Sequence, residues 1–417
     1  MRASAKWDLL VIWVIALSGT VWAQGPSAKK YPTITDASFG FQCGTGKLTN
    51  CPEVTWPTTI AQPGMIRLWD SQVQWHALNP GPGNYKWTLI DAYLDAIVAH
   101  QPRAAMYTFG YTPCWDTTSP CERRWGSVSP PDDLTTGGSP SFNAFVNALV
   151  THCSAAGHCV KDYIKYWEMW NEANAPHYWN GSVAQLYNLM APAVAIIRRK
   201  VPEALILTPP VSMGNTEWMQ EWLNQENSGG RLADIYGFHL YLQNKTPEER
   251  FSIVQSMIQV KDSTPGWRDT PWMNTETSFE ARTFACSSYT PEDCAGQIVR
   301  WHLLHFAAGG EHLGWYYFNT TIGRNPDFSN AYHFMMRLLV GGHFTAECSA
   351  SGSVYTCPFV ETNGHHALFA WNVSGQSAYN PPAQYVAYKD LAGNATKSAP
   401  GRPVTIGVKP IMLEAAN

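Results

Sequence analysis

The chain has 417 residues, which allows one large domain and a small one, and its net charge is only −4. It contains no run of lysine and arginine longer than three residues, so nucleic acid is not expected as a partner. Charged residues make up 14% of the chain and aromatic residues 13%, with 19 Trp and 19 Tyr. So many aromatic side chains suit a packed core, and they also suit stacking against the apolar faces of sugar rings.

The first 23 residues have the pattern of a secretory signal peptide. Arg2 and Lys6 precede an apolar run from Leu9 to Leu17, and Val21 and Ala23 stand three and one residues before the expected cleavage site. The run is shorter than the ~20 residues that span a bilayer, although an uncleaved anchor is the alternative. We expect a secreted mature chain, extracellular or periplasmic, that begins near Gln24 and has no membrane partner.

The 10 cysteines occur as close neighbours in the sequence. The pairs are Cys43/Cys51, Cys114/Cys121, Cys153/Cys159, Cys286/Cys294 and Cys348/Cys357. In an oxidising compartment this spacing predicts five local disulfides, and free buried thiols are the alternative. A zinc site is disfavoured because no C-x-x-C pair is present, so no metal is expected.

Apolar runs that resemble strands alternate with amphipathic stretches such as Leu89–His100 and Ser182–Lys200. The predicted strands are Ala37–Gln42, Met65–Trp69, Ala104–Phe109, Ile164–Trp170, Ala204–Thr208, Ile235–Leu240, Pro271–Thr275 and Leu313–Phe318. This alternation predicts an α/β fold, a parallel (β/α)8 barrel over residues 24–341. A doubly wound sheet is the competing interpretation, but its phosphate turn needs a third glycine that Gly44-Thr45-Gly46 lacks.

The pattern changes after Gly341. Four short β-type runs replace the helical periodicity, at Tyr355–Val360, Ala367–Val373, Gln384–Asp390 and Val404–Leu413. They predict a small antiparallel β module over residues 342–417.

The most informative motif is Trp-Glu-Met-Trp-Asn-Glu-Ala-Asn, residues 167–174, at the end of the fourth predicted strand. Active sites of these barrels lie at the carboxyl ends of the strands. The motif resembles the W-E-x-W-N-E signature of clan A glycoside hydrolases. The resemblance implies that Glu172 is the general acid/base and that Asn171 binds the 2-hydroxyl of the sugar. The sequence departs from the signature at Ala173, where many members have proline.

A second motif, Trp-Met-Asn-Thr-Glu-Thr at residues 272–277, ends the seventh predicted strand. Members of the clan place their nucleophile here, so the resemblance implies that Glu276 attacks the sugar. It also implies that Arg67 contacts this nucleophile, that His239 and Tyr241 lie beside it, and that Trp315 forms the floor under the sugar.

Two tryptophans that follow strand ends, Trp115 and Trp179, are candidate walls of the sugar site, with simple packing as the alternative. Glu168 lies on the same face as Glu172 but deeper, which favours a hydrogen-bonding role inside the barrel over catalysis.

The resemblance covers roughly Ala37 to Gly341 and is nearest to family 39, through Gly83–Trp87 with Asp91, and through Tyr111–Trp115. Families 5, 30, 51 and 79 share the same machinery. The family implies β-xylosides, α-linked sugars of matching anomeric geometry, or an exopolysaccharide as substrate.

The sequence therefore predicts a secreted, cofactor-free retaining glycosidase that acts on an oligosaccharide or polysaccharide. Such enzymes hold two carboxyl groups about 5–5.5 Å apart. We expect Glu172 to have a raised pKa and Glu276 a normal or lowered one. The alternatives are a carbohydrate-binding protein without catalysis and a transglycosylase that uses the same pair.

Overall fold

The computed structural model describes residues 31–42, 62–122, 125–280 and 285–416. Eight parallel strands form one sheet in the order β5-β4-β3-β2-β1-β8-β7-β6. They are β1 Phe39–Gln42, β2 Met65–Leu68, β3 Ala104–Thr108, β4 Tyr166–Glu168, β5 Leu205–Leu207, β6 Tyr236–His239, β7 Trp272–Thr277 and β8 His312–Tyr316. Parallel bridges from Leu207 to Ile235 and from Val211 to Phe238 close the sheet between β5 and β6. The predicted (β/α)8 barrel is thereby confirmed.

Helices alternate with the strands on the outside of the barrel. They are α1 Trp75–Leu78, α2 Thr88–His100, α3 Pro140–Thr151, α4 Val160–Tyr163, α5 Val183–Lys200, α6 Thr216–Gly229, α7 Pro247–Ser263, α8 Pro291–Ala307, α9 Phe318–Thr321 and α10 Pro326–Leu339. Their starts follow local sequence signals. Ser182 and Thr246 each accept a hydrogen bond from the third helical N–H, and each helix returns a glutamine or glutamate side chain to the cap. Thr290 caps α8 in front of a proline at its first position.

Side chains along each barrel strand alternate between the helix layer and the barrel interior. The amino end of the interior is filled by one apolar cluster, which comprises Met65, Ala104, Met106, Leu207, Ile235 and Met273. Polar side chains replace this cluster one layer higher, where Arg67 and Glu168 meet. The polar layer leads to the carboxyl ends of the strands, the face at which the sequence motifs were expected.

The chain after the barrel forms antiparallel strands. They are β9 His343–Phe344, β10 Ser349–Ser351, β11 Val354–Val360, β12 His366–Asn372, β13 Ser377–Tyr379, β14 Tyr385–Lys389, β15 Ala395–Lys397, β16 Val404–Ile406 and β17 Ile411–Ala415. Seven of them form one sheet, and β13 pairs with β16. The predicted run Val404–Leu413 is two strands in different sheets, because β16 pairs with β13 whereas β17 pairs with β12 and β14; residues 407–410 connect them.

A buried polar network joins the β module to the barrel. Glu248, at the start of α7, accepts a 2.8 Å hydrogen bond from Nε1 of Trp371 on β12. Its carboxylate also lies 3.3 Å from Nη1 of Arg300 on α8. Arg300 is 1% exposed and has a second partner in Asp293, at 2.7 Å. Removal of one member would leave a buried charge without its full set of partners.

Glu248→Ala is therefore expected to lower the free energy of unfolding by about 3 kcal/mol, the cost of breaking a buried ion pair. Glu221→Ala, on the exposed face of α6, is the control and should change it by less than about 0.5 kcal/mol. Chemical denaturation at neutral pH measures both values. Equal stability of the two variants would show that the network contributes nothing to holding the module.

Four of the predicted cysteine pairs are disulfides: Cys114–Cys121, Cys153–Cys159, Cys286–Cys294 and Cys348–Cys357. The predicted pair Cys43/Cys51 and the predicted signal peptide lie outside the described residues. In the described part of the chain, no helix has both the length and the hydrophobicity needed to cross a bilayer.

Candidate active site

Unusual backbone conformations concentrate at the carboxyl face of the barrel. Among the described residues, eight non-glycine residues with positive φ lie in connections that follow barrel strands: Asp70, Gln72, Tyr111, Glu172, Met213, Gln243, Asn244 and Tyr317. Such conformations cost about 1–3 kcal/mol each and cluster at functional sites. Glu172 itself has φ 41°. The chain thus turns sharply directly after β4, where its carboxylate enters the site.

Arg67 on β2 organises the polar layer and is 3% exposed. Its Nη1 donates to Oε2 of Glu276 at 2.6 Å and to Oε1 of Gln42 at 2.7 Å. Its Nη2 donates to Oε2 of Glu168 at 2.5 Å and to Oδ1 of Asn171 at 2.8 Å. Because its Oδ1 faces the guanidinium, Asn171 keeps its Nδ2 amide as a donor for a ligand.

Glu276 is held by two donors. Besides Arg67, the hydroxyl of Tyr241 donates to its Oε1 at 2.5 Å. The pairing of β7 with both of its neighbours shifts register around this residue. The bulge lets two successive side chains, Thr275 and Glu276, both reach the barrel interior, since Thr275 hydrogen-bonds to Glu168 and Glu276 to Arg67. Each of the two carboxylate oxygens of Glu276 therefore accepts a hydrogen bond.

Glu172 lies opposite Glu276 in the site. Its Oε1 is 3.0 Å from Nδ1 of His239, and its side chain is 12% exposed. A carboxylate oxygen of Glu172 and one of Glu276 lie within 4.8 Å of each other. The structure thus brings together Arg67, Asn171, Glu172, His239, Tyr241 and Glu276.

Burial raises the pKa of Glu172 well above its usual range, and the charge of Glu276 raises it further. Burial also raises the pKa of Glu276, although Arg67 and the Tyr241 hydroxyl oppose this shift. The expectation of a normal or lowered pKa for Glu276 is therefore wrong, because protein encloses both carboxyl groups. Glu276 remains the stronger acid of the pair, since it alone accepts from a cation. Burial and the nearby Arg67 lower the pKa of His239 well below its usual range, so His239 is neutral.

The same groups resemble a metal site in outline. A ring nitrogen of His239 and one oxygen each of Glu172 and Glu276 lie within 4.8 Å of one another. The guanidinium of Arg67 already places a positive charge 2.6 Å from Glu276, and a metal cation bound beside it would be repelled. Nδ1 of His239 hydrogen-bonds to Glu172 directly. The arrangement therefore favours a pair of acid groups that is already neutralised by a guanidinium.

The prediction that Trp315 forms the floor under the sugar is wrong, because its side chain points away from the site. Gln42 on β1 faces Arg67, and its neighbour in the sheet is Tyr316, whereas Phe41 pairs with Trp315. Trp315 therefore points to the helix layer, is 0% exposed and donates to Thr321. Tyr316 faces the site instead and donates to the carboxylate of Asp70.

The two other predicted aromatic walls differ in position. Trp179 is 2% exposed, packs against Trp170 and donates to the Ser182 carbonyl, so it belongs to the core. This prediction is corrected, because a buried ring offers no face to a substrate. Trp115 is half-buried, and Nε1 donates to the Asn79 carbonyl at 2.7 Å, which fixes its ring on the loop after β3. Its contact with substrate stays a prediction.

An aromatic cluster beside Glu172 was missed. Tyr111 stacks on Trp69 with centroids 5.6 Å apart, and Tyr178 lies 6.0 Å from Tyr111. Tyr178 is close enough to both glutamates for their charges to raise its pKa, although burial contributes more. The signal available in the sequence was weak, because each ring follows a different strand, β2, β3 or β4.

No family model and no curated protein sequence matches this chain. Solved structures do. A GH39 β-xylosidase from Caulobacter crescentus superposes with a TM-score of 0.58 at 15% identity, covering 95% of this chain and 98% of the other. The catalytic domain of GH30 xylanase C from Talaromyces cellulolyticus superposes with a TM-score of 0.59 at 14% identity, covering 94% of this chain and 99% of the other. A GH51 arabinofuranosidase from Xanthomonas axonopodis superposes with a TM-score of 0.52 at 11% identity, covering 94% of this chain and 98% of the other.

The chain shares the fold of these glycoside hydrolase structures. The predicted resemblance to this group, with family 39 among its members, is confirmed at the level of the fold. The alignments extend over nearly the whole of each chain, so they include the β strands that follow the barrel.

Proposed function

We propose that this protein is a retaining glycoside hydrolase, with Glu276 as nucleophile and Glu172 as general acid/base. The observation that carries the proposal is the unequal environment of two carboxyl groups whose oxygens lie within 4.8 Å. Glu276 accepts from a cation and a phenol, whereas Glu172 hydrogen-bonds to the neutral ring of His239. The close approach fits the separation of about 5–5.5 Å found in retaining enzymes.

The chemistry follows from these environments. Ionised Glu276 attacks the anomeric carbon and forms a glycosyl ester, while protonated Glu172 gives its proton to the departing oxygen. Glu172, now ionised, takes a proton from a water that attacks the same carbon and releases Glu276. Asn171 offers its Nδ2 donor beside Glu172, where a sugar hydroxyl next to the anomeric carbon would lie.

The substrate class is an oligosaccharide or polysaccharide. The similar structures are described as a β-xylosidase, a xylanase and an arabinofuranosidase, so pentose-containing glycans are the first to test. The half-buried rings of Tyr111 and Tyr178, which pack against the buried Trp69, support a sugar next to Glu172, since aromatic faces stack on the C–H faces of sugars.

We also propose that the protein is exported. Four disulfides within the described residues are typical of oxidising compartments and rare in reducing ones. The expected leader at residues 1–23 agrees with this location.

A panel of plant, bacterial and fungal glycans, with detection of new reducing ends, tests the proposal. The Glu276→Gln variant, purified in parallel, controls for contaminating glycosidases. We expect at least one glycan to be shortened by the natural protein and not by the variant. Binding without shortening would indicate a carbohydrate-binding protein, and longer products with acceptor sugars would indicate a transglycosylase. Cleavage at equal rates by both proteins would contradict the assignment.

A further inference from the structure

Below the two glutamates, a chain of buried hydrogen bonds runs from Glu168 through Thr275 and His239 to Glu172. Thr275 Oγ1 lies 2.6 Å from Oε1 of Glu168. His239 Nε2 lies 3.1 Å from the same Thr275 oxygen, and His239 Nδ1 lies 3.0 Å from Glu172. Glu168, Thr275 and His239 are at most 1% exposed. No catalytic step described above uses Glu168 or Thr275.

The direction of each hydrogen bond in this chain is determined by the donors available. Glu168 Oε2 accepts from Nε of Arg67 at 2.9 Å, from Nη2 at 2.5 Å and from Thr108 at 2.8 Å. A carboxylate surrounded by these donors can only accept, so the single hydroxyl proton of Thr275 points to Glu168. Thr275 then has only lone pairs left for His239.

It follows that His239 donates from Nε2. A neutral imidazole has one donor nitrogen and one acceptor nitrogen, so Nδ1 of His239 must accept. The atom facing Nδ1 is Oε1 of Glu172, which can donate only when Glu172 is protonated. With His239 neutral, the hydrogen bonds therefore place a proton on Glu172 in the resting protein.

We propose that Thr275 and Glu168 are positioning residues that fix the Nε2–H form of His239 and thereby keep the catalytic proton on Glu172. The proposal rests on the function proposed above. Neither residue touches the substrate. Thr275 acts by accepting from Nε2, and Glu168 acts by orienting the Thr275 hydroxyl.

Other charged groups also act on Glu172. The titratable groups of the described residues that face it are His239, Glu276, Arg67, Asp70, Glu168, Tyr111 and Tyr178. Valine has nearly the same shape as threonine, so Thr275→Val leaves all of these groups in place and removes only the hydroxyl with its hydrogen bonds to Glu168 and His239. The substitution therefore isolates the hydroxyl.

Thr275→Val should leave Nε2 without an acceptor, so that His239 can place its proton on Nδ1 and face Glu172 with a donor. A donor at that point favours ionised Glu172. We expect the upper limb of the pH profile of kcat/KM to move down by about one pH unit. Glycosides with poor leaving groups should slow by at least about tenfold more than dinitrophenyl glycosides, because only the former need the proton.

Two variants serve as controls. Thr275→Ser keeps the hydroxyl and should restore the natural pH profile. Thr277→Val removes a buried hydroxyl from the outward face of the same strand, where it donates to the Leu240 carbonyl, and should leave the upper limb in place.

A readout independent of catalysis is the ¹⁵N spectrum of histidine-labelled protein, with His239 assigned by its loss in His239→Gln. We expect an Nε2–H imidazole in the natural protein and a different tautomer in Thr275→Val. A proton on Nδ1, or on both nitrogens, in the natural protein would overturn the proposal, as would an unchanged pH limb in a folded Thr275→Val. An Nε2–H imidazole in a protein that cleaves no glycan would support the proton arrangement and overturn the proposed function instead.

Discussion

Glu276→Ala is expected to reduce the hydrolysis of an activated aryl glycoside by about 10⁴–10⁶-fold, the scale seen when a nucleophile is removed. The loss follows because no other described carboxylate shares the position that Arg67 and Tyr241 give to Glu276. Added azide can enter the space left by the side chain and attack the same carbon once. The product expected is a glycosyl azide of inverted configuration.

The matched control is Glu311→Ala. Glu311 directly precedes β8, at the opposite end of the barrel, and is half-buried, whereas Glu276 is buried. It should retain nearly full activity and show no azide product. Near-normal activity of Glu276→Ala would exclude Glu276 as the nucleophile, and equal losses in both variants would indicate a general structural defect.

Glu172→Ala should have a strongly leaving-group-dependent effect. Loss of a general acid costs about 10²–10⁴-fold, so alkyl glycosides should slow by that amount, whereas dinitrophenyl glycosides should still form the glycosyl-enzyme rapidly. Azide should then release the product with retained configuration, because it replaces the activated water. Steady-state kinetics over a series of leaving groups provides the measurement, and equal losses for all leaving groups would contradict a role as acid.

The pH dependence of the natural protein follows from the same pair. As the pH rises through the raised pKa of Glu172, the acid loses its proton and kcat/KM falls. As the pH falls through the pKa of Glu276, the nucleophile becomes protonated and kcat/KM falls again. The two limbs report values for the coupled pair rather than for either residue alone. In Glu172→Ala the upper limb should disappear for activated substrates.

Much of the fold was predictable because its signals are local. Each predicted barrel strand overlaps an observed one, since short apolar runs bounded by polar connections specify parallel strands. Helix α5 begins one residue after its predicted start, because Ser182 is its cap rather than its first residue. The motif around Glu172 was readable because it is a contiguous stretch at one strand end.

The features of the site that could not be predicted depend on which face of a strand each side chain occupies and on the pairing register between strands. Four aromatic residues follow one another at Trp315, Tyr316, Tyr317 and Phe318, and the sequence does not indicate which of them faces inward. Pairing of β8 with β1 decides the matter in favour of Tyr316. The bulge at Glu276 likewise arises from pairing with two neighbouring strands. In a regular strand without this bulge, successive side chains alternate, and Thr275 and Glu276 would lie on opposite faces of the sheet. The contact of Thr275 with Glu168 could therefore not be predicted from the sequence.

The most direct test of the central claim is the anomeric configuration of the first sugar released, followed by ¹H NMR before mutarotation. Two carboxyl groups with oxygens within 4.8 Å, one ionised and one protonated, predict a double displacement. The first product should therefore have the same anomeric configuration as the substrate. Release of the opposite anomer would mean that water attacks the sugar directly, and Glu276 would then be a base rather than a nucleophile.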